Sequence, residues 1–182
     1  LSPRIPAWHV VQCIPNQQFR AVSGIKSHGF EAYLPSVATE RRIMVNGVRV
    51  RKSIAVPMFG PYIFARFASS DGWGQISRRR DGVGIDGVIR LMCNAQYEPE
   101  PIRGFDVDAL IADESNRLKL PRKAVEPIKR GARVKVLRGV FEGHKGLCAG
   151  CDGLHTTVNL GGWMTEVRLL REDVVLLLEA ST

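Results

Sequence analysis

The dipeptide Asn46-Gly47, set between Arg42-Ile43-Met44-Val45 and Val48-Arg49-Val50-Arg51, constrains this chain more than any other feature. A type I′ turn needs positive φ at both central residues, and Asn followed by Gly accepts that at the least cost. The two flanking runs are therefore expected to fold back on each other as an antiparallel hairpin. That hairpin carries Arg41, Arg42, Arg49, Arg51 and Lys52 on a narrow two-stranded arm. An isolated pair of strands has little core of its own, so the arm is expected to project.

The other apolar runs are short and are cut by Pro or Gly. Trp8 to Ile14 is β-branched and apolar and stops at Pro15, which predicts a central strand. Asn16 then stands as a helix N-cap, Phe19, Val22 and Ile25 follow at helical spacing, and His28-Gly29 closes the helix. Phe30 to Leu34 predicts a second strand, stopped by Pro35. After a turn between Pro57 and Pro61, Tyr62, Phe64 and Arg66 fall on one strand face and Ile63, Ala65 and Phe67 on the other. A glycine-rich stretch surrounds Arg78-Arg79-Arg80, with room for a short helix from Trp73 to Ser77, and Val88 to Met92 reads as a further strand. Asp106 to Asn116 predicts a short helix, and Lys119 to Gly131, with Pro121 and Pro127, a linker. From Gly131 onward, short apolar runs separated by Gly-containing turns predict a small all-β barrel, about fifty residues long and near the lower limit for an independent core. The expected domains are residues 1–104, a connecting helix and linker over 105–130, and residues 131–182.

Composition narrows the function classes. Of 182 residues, 45% are hydrophobic and 24% charged, which excludes wholesale disorder. No run reaches the roughly 18 apolar residues of a membrane helix, and no secretory signal is recognisable at the start. Four Cys are too few for a disulfide scaffold, so a reduced, cytoplasmic protein is expected. Residues 1–104 hold 14 Lys and Arg against 7 Asp and Glu, whereas residues 131–182 hold 6 of each. The basic excess of the first part suits a polyanion, and the neutral second part suits a different kind of partner.

Catalysis finds no support, because the four His are scattered and no nucleophile elbow, phosphate loop or carboxylate pair appears. One set of residues has metal-ligand chemistry: His144, Cys148, Cys151 and His155. The Cys-x-x-Cys spacing suits zinc, but the His flank both sides and no second Cys pair exists, so no metal or other cofactor is expected. A redox role for Cys148 and Cys151 is the enzymatic rival, and it lacks the βαβ surroundings of a thioredoxin-like site.

Residues 131–150, with Val134, Val136, Gly139, Phe141, Gly143 and Gly146, resemble a KOW motif. Trp8-His9-Val10-Val11, Phe30 to Pro35 and Pro57 to Phe64 resemble the successive strands of a NusG N-terminal domain, although Gly60-Pro61 inverts the family's usual Pro-Gly order. A lone KOW motif also occurs in ribosomal proteins; the two elements in this order resemble the NusG family of transcription elongation factors, with details closer to a specialised RfaH-like paralogue. The resemblance implies an α+β domain, an antiparallel sheet with flanking helices, joined by a linker to an SH3-like KOW barrel. It implies a monomeric, non-enzymatic elongation, antitermination or termination factor. Pro61, Tyr62 and Phe64 would meet the β′ clamp helices of RNA polymerase. Upstream or non-template DNA would meet Arg20, Arg41, Arg42, Arg49, Arg51, Lys52, Arg78, Arg79 and Arg80. Gln17, Gln18, Lys26 and His28 of the first helix are weaker DNA candidates. The KOW domain would recruit a ribosomal protein or the termination factor Rho. The alternative is an RNA- or ribosome-binding KOW protein without polymerase contact.

Overall fold

A computed structural model describes residues 5–68, 72–77, 84–120 and 124–177. Its contacts divide the chain into two compact units, residues 1–34 with 60–107 and residues 35–59 with 108–182. The boundary therefore does not fall at one place in the sequence. The hairpin, expected with the first domain, is grouped with the C-terminal strands instead.

The first unit is built on a four-stranded antiparallel sheet. Its strands are β1 (Ala7–Cys13), β2 (Glu31–Tyr33), β5 (Tyr62–Phe67) and β6 (Val88–Leu91), in the order β2-β5-β1-β6. β1 is interior, as its β-branched run predicts. Helix α1 (Gln18–Ser27) buries Ala21 and Ile25 in a core with Val11, Cys13, Ile63, Ala65 and Phe67. That core is the face of β5 opposite Tyr62 and Phe64. The N-cap is Gln17, not Asn16, because Asn16 takes a left-handed conformation (φ 65°) and turns the chain before the helix. Gly29, with φ 85°, follows the C-cap as predicted. Of the expected flanking helices, α1 and a single 3₁₀ turn at Trp73–Gln75 belong to this unit among the described residues.

The second unit contains the hairpin, β3 (Ser36–Val45) and β4 (Val48–Pro57), and a five-stranded antiparallel sheet. That sheet joins β7 (Arg133–Val136), β8 (Lys145–Cys151), β9 (His155–Asn159), β10 (Val167–Leu170) and β11 (Val174–Leu176) in the order β10-β9-β8-β7-β11. Its core is Val134, Val136, Phe141, Cys148, Val158, Val167 and Val174. The predicted helix over 106–116 is two short helices, α2 (Val107–Ala112) and α3 (Glu114–Arg117).

Only the base of the hairpin is buried, at Ser36, Val37 and Ala38, and the chain leaving it buries Met58 and Phe59. The Phe59 ring lies 5.8 Å from Phe141 and 5.6 Å from Trp163, and Arg168 N–H donates to the Met58 carbonyl at 2.7 Å. Arg117 is buried and donates to the carbonyls of Ser36, at 2.7 Å, and Leu110. Removing those donors leaves two desolvated carbonyls, so Arg117→Met should cost about 2–4 kcal/mol, read as a lower urea midpoint. An unchanged midpoint would mean that this arginine is not the tie between α3 and the hairpin.

The segment expected to be a free linker is anchored from Val125 onward. Val125 N–H donates to Gly153 O at 2.8 Å, Arg171 Nε donates to Glu126 O at 2.8 Å, and Ile128 is buried. Residues 121–123 lie outside the described residues. Among the described residues, no helix is long and apolar enough to cross a membrane.

Candidate nucleic-acid and protein interface

The turn at the tip of the arm forms as the dipeptide dictates, with φ 48° at Asn46 and 80° at Gly47. Val45 pairs with Val48, and the ladder runs without a break to Ser36 and Pro57. Arg41 faces Lys52 and Arg42 faces Arg51 across the strands. All five predicted cations of the arm are exposed. Arg51 approaches Glu40 at 3.5 Å; among the described residues, Arg41, Arg42, Arg49 and Lys52 make no ion pair. Arg20, on α1, meets Asp86 at 3.3 Å, with both side chains well exposed, so the pair holds little energy and leaves the guanidinium accessible. Arg78, Arg79 and Arg80 lie outside the described residues.

The weaker candidates of α1 divide. Gln18 is buried, and its Nε2 donates to the Gly60 carbonyl at 2.9 Å. This side chain thus fixes the turn before β5 rather than reaching a ligand. His28 holds its Nδ1 2.8 Å from Gly24 O, within its own helix. Gln17 is half-buried and Lys26 exposed.

Gly60, with φ 55°, turns the chain into Pro61, whose carbonyl accepts from Cys13 N–H at 2.8 Å. The inverted Gly-Pro order is accommodated by this left-handed glycine. Pro61 and Tyr62 are half-buried, and Tyr62 opens β5 opposite Gln12. Phe64 shares the face of Tyr62 but is fully buried, its ring 5.8 Å from Phe105. It offers no surface of its own. Trp8 and Arg66 pair across β1 and β5, with the guanidinium carbon 5.8 Å from the indole centre.

In the second unit Gly139 and Gly143 both have left-handed φ, 84° and 83°, and bracket the buried Phe141. Gly146, on β8, pairs with Val134 of β7. A Cβ there would run into the carbonyl of Asn159 and the Val158 side chain, so the position requires glycine.

The zinc-type quartet is not assembled. His144 Nδ1 lies 3.1 Å from Phe141 O, Cys148 Sγ donates to Ile128 O at 3.6 Å, Cys151 Sγ lies 3.3 Å from Thr156 Oγ1, and His155 is buried. Among the described residues, no three His, Cys, Asp or Glu gather as metal ligands. Burial pushes the Cys148 thiol up. Burial works the same way on Cys151, but the Thr156 hydroxyl and backbone donors outweigh it and the net shift is down. Both thiols are free. Burial also lowers His155, helped by the nearby Arg168 cation. Asp152 is pushed up by burial, yet the backbone N–H groups of His155 and Leu154, together with Arg168 at 2.8 Å, bring it below its ordinary value. These groups form a structural corner at the β8–β9 turn.

Sequence reasoning missed the exposed apolar residues at the arm's tip. Met44 is 62% exposed, Val48 62% and Val45 44%. The alternation of Arg42-Ile43-Met44-Val45 held the signal, since one strand of an unpacked ribbon must show both faces to water.

A family described as transcription termination factor nusG matches residues 6–111. No curated protein sequence matches the chain. Among solved structures, one titled for domain interaction in Thermotoga maritima NusG aligns with a TM-score of 0.53 at 16% identity, covering 93% of this chain and 96% of that one. The MjSpt4:Spt5 complex in conformation B aligns with a TM-score of 0.27 at 16% identity, covering 96% and 99%. The first likeness is one of fold; the second carries no argument.

Proposed function

The chain belongs to the NusG family of transcription factors, and on that premise we propose that it is an elongation or antitermination factor which holds RNA polymerase with its N-terminal part and recruits a second protein with its C-terminal sheet. The observation that carries the reading is the extent of the family match. Residues 6–111 take in every residue assigned above to polymerase or nucleic acid. Tyr62 and Pro61 supply the accessible contact for the β′ clamp helices, a half-buried aromatic beside a rigid turn being a common anchor. Phe64, on the same face and buried, supports that strand from within. Arg20 and the basic arm neutralise phosphates of upstream or non-template DNA.

The C-terminal sheet is read as a KOW domain, on Gly139, Phe141, Gly143 and Gly146, and its partner as a ribosomal protein or Rho. The factor is monomeric, works in the cytoplasm and performs no chemistry. It favours the elongating state by binding that state more tightly.

The test is a pull-down of purified RNA polymerase by the full chain, followed by transcription on a paused template with and without Rho. Retention of polymerase and a changed pause lifetime are expected. Retention of ribosomes or RNA with no polymerase would favour the KOW-protein alternative.

A further inference from the structure

The arm has two chemically different faces. In a ribbon, directly opposed residues share a face, and so do residues two apart along a strand. The register therefore puts Glu40, Arg42, Met44, Arg49, Arg51 and Ser53 on one face. Arg41, Ile43, Val45, Val48, Val50 and Lys52 lie on the other. The first face holds three arginines and a single carboxylate, Glu40, which reaches Arg51 alone. Arg42 stands directly opposite Arg51, and like charges in opposed positions repel. Anions laid across this face would relieve that repulsion.

We propose that the Arg42–Arg49–Arg51 face binds duplex DNA in its major groove. The inference rests on the nucleic-acid contact proposed above and names its ligand and its side of the arm. A two-stranded ribbon fits the major groove of B-form DNA, about 12 Å wide. The deep, narrow major groove of A-form RNA does not admit it. Glu40 to Val45 spans about 17 Å at about 3.4 Å per residue, enough to cross that groove. Each guanidinium fork matches two phosphate oxygens or the O6 and N7 of a guanine. The opposite face offers phosphates only Arg41 and Lys52, both toward the base of the arm, while Ile43, Val45, Val48 and Val50 fill the rest of it.

The experiment measures anisotropy of a labelled 30-base-pair DNA duplex with the full chain over a range of salt. Arg42→Ala, Arg49→Ala and Arg51→Ala combined should reduce the log–log salt slope by about 2.7, or about 0.9 per lost phosphate contact. The pair Arg41→Ala with Lys52→Ala should change it by well under half of that. Bulky substituents on cytosine C5, which crowd the major groove, should weaken binding at least tenfold, and a drug filling the minor groove should leave it unchanged. An equal slope loss per residue from both faces, or equal affinity for an RNA duplex, overturns the inference. So does an unchanged slope in the triple variant while the wild type still binds DNA, and in that case the wider nucleic-acid reading survives. If the wild type binds no nucleic acid at low salt, that reading fails as well.

Discussion

Gly146→Val is expected to unfold the five-stranded sheet. Gly146 lies in β8 at the register point opposite Val134, and an added Cβ meets the backbone carbonyl of Asn159 in the neighbouring strand β9. A side chain can swing aside, but a laddered carbonyl cannot. Overpacking of this kind costs about 3 kcal/mol or more, a large part of what a fifty-residue sheet has to lose. Gly150, on the same strand, has open space where its Cβ would lie, so Gly150→Ala should change stability little. Thermal unfolding followed by circular dichroism checks both. A Gly146→Val protein that melts with the wild type would contradict the register given for β8 and β9.

The second large effect concerns binding. Tyr62→Asp should lower the affinity for RNA polymerase by at least about a hundredfold, because a charge without a partner is carried into a desolvated contact. The fold should persist, since Tyr62 is the half-buried first residue of β5 while Ile63, Ala65 and Phe67 hold the core on the other face. Phe64→Ala should behave differently. Phe64 is fully buried, so its truncation should cost about 3–5 kcal/mol of stability. Binding titrations with matched denaturation curves separate the two. If Tyr62→Asp unfolds the chain, Tyr62 is a core residue; if it folds and binds as before, the contact lies elsewhere.

What the sequence discloses, and what it hides, follows from how local each signal is. Asn46-Gly47 specifies its turn through backbone torsions alone, so the arm was legible without any other residue. The ends of that arm were not. β3 begins at Ser36 and β4 ends at Pro57, well beyond the runs flanking the turn, because the polar stretches Thr39 to Arg41 and Arg51 to Ser53 interrupt the apolar pattern before it resumes at Val37-Ala38 and Ile54 to Val56. Helix α1 was legible from the spacing of its apolar residues, but its first residue was not, since Asn16 spends its left-handed tolerance on a turn. Gln18 looked like a surface candidate and instead caps a turn 42 residues away. Arg117 was indistinguishable from any solvated helical arginine, and its burial against Ser36, 81 residues away, depends on packing that no local pattern encodes. The Cys-x-x-Cys spacing suggested ligands, yet both thiols, on β8, are spent on the Ile128 carbonyl and the Thr156 hydroxyl.

The proposed contact between the start of β5 and RNA polymerase can be tested in isolation. The most direct measurement is a competition titration. The labelled chain is bound to an assembled elongation complex and challenged with an isolated β′ clamp-helix fragment. Saturable binding that the fragment reverses is expected, with no measurable association of the fragment with the Tyr62→Asp protein. Binding to the elongation complex that the fragment leaves untouched, or none at all, would contradict it.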